Sequence, residues 1–224
     1  MILHLMDKLK TLRKYLLNRP WIGAVTIAAF YFFGTFGILI GYGDWFIPKT
    51  AFNLLLSFIV LLVYQQTINY KLIVALASCY LIGFTAEFLG VQYGLIFGDY
   101  YYPSTLGPQL FGVPFVIGVN WYLITFTVWS VLSRIVSIAW LRVFLAASIT
   151  TLVDVLIEPV AIALKFWTWD TVEVPLQNYL GWFVISLLIF SIYQAINITV
   201  KNKMAPMLLA WQLFFFIVLN LFLP

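Results

Sequence analysis

From Trp21 to Ile40, twenty consecutive residues carry no charged side chain, and apolar runs of this length recur to the end of the chain. A helix needs roughly 20 such residues to cross the hydrocarbon core of a bilayer. Lipid offers no partner to backbone N–H and C=O groups, so each segment must satisfy its own, as a helix does. The runs are continuous rather than alternating, which argues against a barrel of strands. With 64% hydrophobic and 9% charged residues, the chain lacks the polar surface of a soluble domain. The reading is an all-α, polytopic membrane protein. On the length rule, about seven transmembrane helices are expected, near residues 21–40, 49–65, 71–90, 112–132, 141–163, 178–198 and 205–223.

Charge sets the expected orientation. Residues 1–20 form a basic segment, with Lys8, Lys10, Arg13, Lys14 and Arg19 beside Leu5, Leu9, Leu12 and Leu16 at helical spacing. Such an amphipathic helix lies on a membrane surface, and residues 21–224 follow as a single transmembrane domain. With the N-terminus inside, the inner segments also hold Lys71, Arg134, Arg142, Lys201 and Lys203, while the outer ones hold only Lys49 and Lys165. Basic residues accumulate on the inner side, which favours this topology. The net charge of +4 resides in this arm and in short loops, so it gives no reason to expect a nucleic-acid partner. A single cysteine, Cys79, excludes a disulfide framework. A single histidine, His4 at the terminus, speaks against a haem or zinc site built on histidine.

Carboxylates inside such a chain are conspicuous. Glu87 lies in an apolar run with Gly83 one turn before it and Gly90 almost one turn after. Both glycines remove bulk beside the acid, allowing close approach of a helix or a flat ligand. Asp154 and Glu158 are four residues apart and share a helix face with Thr150. Pro159 then removes a backbone donor, so a kink or a helix end is expected there. An intramembrane acid must face protein or water. Asp99 sits between Gly98 and the run Tyr100, Tyr101, Tyr102, either as a turn cap or as part of a site. Asp44, Asp170 and Glu173 read as solvated loop acids. Trp121, Trp167, Trp169 and Trp182 are either interfacial belt residues or π faces near the acids. Asn120 and Asn178 stand near helix entries, where they can orient a carboxyl group. An echo accompanies these residues: Val113-Pro114 precedes Trp121 at the same spacing as Val174-Pro175 precedes Trp182, which suggests two related helical hairpins.

The sequence shows no glycine-rich phosphate loop, no pair of Asp-rich motifs for a magnesium diphosphate, and no lysine in the last span for a retinal Schiff base. An acid-rich and aromatic-rich pocket in a bilayer suits acid chemistry on a lipophilic alkene, with no cofactor and no metal. Burial raises a carboxyl pKa, so a buried acid can protonate a C=C bond near neutral pH. Aromatic faces would stabilise the tertiary cation, and a second carboxylate would orient water to capture it.

The motifs Glu87-Phe-Leu-Gly-Val-Gln-Tyr-Gly94, Phe97-Gly-Asp-Tyr100, Gly112-Val-Pro114, Asn120-Trp121, Asp154-Val-Leu-Ile-Glu-Pro159, Trp167-Thr-Trp169 and Val174-Pro-Leu-Gln-Asn-Tyr-Leu-Gly-Trp182 occur in this order. In them the chain resembles the integral-membrane carotenoid biosynthesis family, over roughly residues 70–200. That family includes bacterial γ-carotene hydratases and archaeal bisanhydrobacterioruberin hydratases. The resemblance implies water addition to the terminal C=C bond of an acyclic carotenoid ψ-end in a prokaryotic cell membrane, with a carotenoid substrate, membrane lipids and other carotenoid enzymes as partners. The expected roles are Glu87 or Asp154 as proton donor, Glu158 as its partner or as water base, and Asp99 as an access acid. Tyr100, Tyr102, Asn120, Trp121, Trp167, Trp169, Asn178 and Trp182 are the expected substrate-binding residues. Two other readings share this residue set: a carotenoid cyclase using the same protonation, and a non-catalytic carotenoid- or quinone-binding subunit.

Overall fold

The computed structural model describes residues 2–223, with side chains described from Asp7 onward; those of His4 and Leu5 lie outside the described residues. Helix α1 (Ile2–Leu17) carries the basic arm. Leu9 and Leu12 are exposed on it, while Leu16 packs against the core. Arg13 donates to the carbonyl oxygen of Gln65 and so ties this helix to the end of a later one.

Six helical segments are long and apolar enough to cross a membrane, which marks the chain as an integral membrane protein. The first of them, Pro20–Tyr64, is 45 residues long. It contains α2 (Pro20–Gly37), the short α3 (Gly43–Phe46) and α4 (Thr50–Tyr64). Helical geometry breaks at Ile40 and at Gly41, whose φ of +93° suits glycine. The chain folds back there. The Gly23 N–H donates to the Tyr64 hydroxyl at 2.9 Å, and the Phe30 and Phe52 rings lie 5.9 Å apart. Two of the seven expected spans, 21–40 and 49–65, are therefore the two arms of this one bent segment. Its second arm, α4, has only 15 residues, about 22 Å of helix at ~1.5 Å per residue.

Four helices build the centre: α5 (Tyr70–Tyr93), α6 (Phe115–Ile135), α7 (Ala139–Ala163) and α8 (Leu176–Ala195). The Asn69 side chain caps α5 by accepting from Leu72 N–H at 3.1 Å. Helix α6 is the axis of the bundle. Fourteen of its 21 residues are buried, and a helix apolar on every side has its place in the interior. Helix α7 does not end at Pro159; it runs on to Ala163. The proline removes one donor, and that single loss is tolerated where neighbouring turns stay bonded. Helix α9 (Met204–Phe222) closes the bundle against α2, α6 and α7.

Two short ladders shape one end of this bundle. In the first, β1 (Tyr100–Tyr101) pairs antiparallel with β4 (Thr168–Trp169), setting Tyr100 opposite Trp169. The second, β2 (Gln109–Leu110) with β3 (Val113–Pro114), is a hairpin leading into α6. Pro114 and Pro175 are the residues immediately before α6 and α8, where a proline costs no helical hydrogen bond. The Pro-to-Trp echo thus places Trp121 and Trp182 on equivalent turns of the two helices. Their rings stack on each other, with centroids 4.0 Å apart and planes at 17°.

Candidate active site

Glu87 projects from α5 and Glu158 from α7, and both line one small chamber with Phe97, Tyr100, Tyr102, Ile117, Asn120, Trp167, Trp169, Asn178 and Trp182. The chamber's free space is about 20 Å³, room for about one water molecule.

Each glutamate is held by its own set of donors. Glu87 Oε2 accepts from the hydroxyls of Tyr100 and Tyr102, both at 2.6 Å, and Oε1 accepts from Trp121 Nε1 at 2.9 Å. Glu158 Oε2 accepts from Trp167 Nε1 and Trp169 Nε1, both at 3.0 Å. Both donor pairs are spaced i, i+2, the strand period that puts alternate side chains on one face. The β1–β4 ladder thus carries the tyrosine pair toward one acid and the tryptophan pair toward the other. Asn178 completes the set. Its Nδ2 donates to Glu158 Oε1 at 3.1 Å and to Asp154 Oδ2 at 2.8 Å. Carboxylate oxygens on both sides require the amide nitrogen, not its oxygen, at that point.

Three buried acids with no cationic partner are costly to bury. Among the described residues the one ion pair is Lys10 with Asp7, on α1. Neutral donors alone compensate Glu87, Asp154 and Glu158. Asp154 is fully buried, and its Oδ1 has no hydrogen-bond partner. It stands behind Glu158 and does not line the chamber. Thr150 is buried on the same face of α7, as the spacing predicts. The Tyr100 and Tyr102 phenols are pushed well above their usual range, first by burial and then by the nearby Glu87 carboxylate, so both keep the proton they donate.

The glycines beside Glu87 make room for its donors. A Cβ at Gly83 would lie 2.5 Å from Trp121 Cγ, and one at Gly90 would lie 2.8 Å from the Tyr100 hydroxyl. Close approach by two hydrogen-bond donors, rather than by a neighbouring backbone, explains both. Gly83→Ala is therefore expected to push Trp121, which is fully buried, off Glu87. Overpacking of this kind costs about 1–3 kcal/mol, measurable as a lowered melting temperature in detergent. An unchanged melting temperature would show that Trp121 moves freely.

The remaining candidates fall in different places. Asp99 is exposed and lies against Gly94, outside the chamber. Its backbone carbonyl, not its carboxylate, takes part in the architecture, accepting from Asp170 N–H at 3.1 Å. Asp44, Asp170 and Glu173 are exposed, as loop acids should be. Trp121, Trp167, Trp169 and Trp182 are buried, so they are not belt residues. Asn120 lines the chamber without contacting an acid. Phe97 was not anticipated among the lining residues; it is 2% exposed, and its position inside the Phe97-Gly-Asp-Tyr motif was the available signal.

The bisanhydrobacterioruberin hydratase of Haloarcula japonica is 32% identical over 119 residues, 48% of this chain and 40% of that protein. The matched part thus spans about two fifths of the relative's length. No solved structure matches the chain. Residues 49–223 match the carotenoid biosynthesis protein family, further in both directions than residues 70–200. The match takes in α4 and α9 as well as the two acid-bearing hairpins, and the chain belongs to the carotenoid biosynthesis protein family.

Proposed function

We propose that this protein is a carotenoid hydratase, adding water to the terminal trisubstituted C=C bond of an acyclic carotenoid. The observation that carries the reading is a water-sized chamber lined by two glutamates from two different hairpins, with aromatic walls. Membership of the carotenoid family supports the substrate class.

Donor chemistry divides the roles. An indole N–H only donates, and so does the Asn178 amide in its position. Glu158, surrounded by those three donors, suits the carboxylate form. A tyrosine hydroxyl can donate or accept. Glu87, held by two of them, can therefore carry a proton without losing its neighbours. In the proposed reaction the Glu87 carboxyl proton passes to the less substituted alkene carbon, and the π pair forms the new C–H bond. The tertiary cation is stabilised by the aromatic wall of the chamber, which includes Trp182. A water oxygen attacks the cation, and Glu158 takes the proton that this water loses. Return of that proton from Glu158 to Glu87 completes the cycle, and the net change is addition of one water. Asp154 acts at one remove by fixing Asn178.

The orientation follows from charge. The folded-back Pro20–Tyr64 segment makes two passes, giving seven in all, with α1 on the inner surface and the acid chamber toward the outer side. A single new cysteine beside Asp99 is expected to react with an impermeant external thiol reagent, since Cys79 is buried and contributes little background. Labelling only from the inner side would reverse the topology.

The activity test is expression in cells that accumulate lycopene or γ-carotene, followed by mass analysis of the pigments. A gain of one water, with oxygen from labelled solvent, is the expected result. A cyclised isomer of unchanged mass would replace hydration by cyclisation, and unaltered pigment would leave only a binding role.

A further inference from the structure

The acid chamber has space for little more than water, yet the proposed substrate is a long conjugated chain, most of which must lie elsewhere. A second cavity, about 430 Å³ in volume, is enclosed by α2, α3, α4 and α9. This is within the size range of small-molecule sites. Its lining is dominated by aromatic rings, including Phe30, Phe33, Phe52 and Phe216. Its one charged residue, Lys49, is already engaged: its Nζ donates to the Trp45 carbonyl at 2.6 Å and sits 3.5 Å from the centre of the Trp45 ring.

Two features join this cavity to the acids. Asn120 lines both spaces. Phe166, a buried residue of the apolar cavity's lining, directly precedes Trp167, a donor to Glu158. The outer rim is open, with Phe33 63% and Phe52 57% exposed. A ligand held here therefore has an apolar path in from the bilayer and one inner contact, Asn120, shared with the acids.

Resting on the hydratase reading, we propose that this cavity is the berth of the substrate's polyene chain. The end group abuts Asn120, on the wall of the acid chamber, while the conjugated chain lies among the rings of α2, α4 and α9. Aromatic faces suit a flat and rigid polyene, which loses little conformational entropy on binding. Entry is sideways from lipid, between the folded-back N-terminal segment and α9. Asn120 is thus a positioning residue at the junction.

The pigment's visible absorption provides a test that does not depend on turnover. Glu87→Gln protein, purified from cells that make an acyclic carotenoid, is expected to retain pigment. Adding Ala29→Trp, which fills the cavity from α2, is expected to lower pigment per protein at least about tenfold. Asn53→Phe does the same from α4 and guards against a folding failure of the first variant. Val25→Trp, on α2 but exposed and outside the lining, is expected to retain pigment. Melting temperatures in the same detergent show which variants are folded. Equal pigment in folded Ala29→Trp and Asn53→Phe proteins would overturn the berth. So would retention of phospholipid alone, which would make the cavity a seat for bilayer lipid. The two readings fail separately. If the unmutated chain hydrates nothing while Ala29→Trp still expels pigment, the berth stands and the hydratase reading falls. If hydration proceeds at the same rate with the cavity filled, the berth falls and the hydratase reading stands.

Discussion

Exchanging Glu87 for glutamine is expected to lower hydration by about 10²–10⁴-fold, the usual contribution of a positioned general acid. Shape and most hydrogen bonds survive the exchange. The glutamine oxygen can accept from Trp121 Nε1, and the Tyr100 and Tyr102 hydroxyls can turn to accept from its amide. What is lost is the proton. The measurement is water adduct formed per folded protein, with a melting curve in detergent as the control for folding. Activity equal to that of the unmutated protein would remove Glu87 from the chemistry.

Glu158→Gln is expected to lower hydration to a similar degree, about 10²–10⁴-fold, but to fail at a different step. Glu87 can still protonate the alkene, while no base stands ready to take a proton from water. The cation then gives a proton back, either re-forming the alkene or shifting the double bond. In deuterated water, the Glu158→Gln protein should therefore place deuterium in the end group or move its double bond without adding oxygen. The Glu87→Gln protein should do neither. If deuterium enters with Glu87→Gln and not with Glu158→Gln, the roles are reversed. If both variants block deuterium entry, protonation requires the two acids together. Asp154→Asn tests the remaining acid. It lies outside the chamber and is hydrogen-bonded by Asn178 alone, so its loss is expected to slow the reaction less than either glutamate exchange.

Much of this site was legible because lipid makes every buried acid conspicuous. Glu87, Asp154 and Glu158 stand out among apolar residues, and three of the four tryptophans singled out with them prove to be their donors. The fourth, Trp182, is their stacking partner. The division of labour was not legible. Nothing in the spacing says that Asp154 points behind Glu158, because residues four apart on a helix share a face but differ in depth. Asp99 illustrates the reverse problem. An acid beside glycine and tyrosines has the same local sequence whether it faces a chamber or solvent, and only the β1–β4 register turns Tyr100 and Tyr102 inward and leaves Asp99 outside. The fold-back at Gly41 falls between the expected spans 21–40 and 49–65, although Ile38–Tyr42 is as apolar as the helices it joins. Phe166 and Gln212 resemble ordinary core residues until the cavity beside them is seen.

The Trp121–Trp182 stack and the β1–β4 pairing join the two hairpins, yet the donors the hairpins carry differ. Two phenols and an indole serve Glu87, while two indoles and an amide serve Glu158. A site with identical walls would have no preferred direction, since either acid could give and either could take. On the proposed mechanism, the direction of proton transfer across the chamber depends on these donors rather than on the backbone. Exchanging the tyrosine and tryptophan pairs would be a way to turn that flow around without moving either acid.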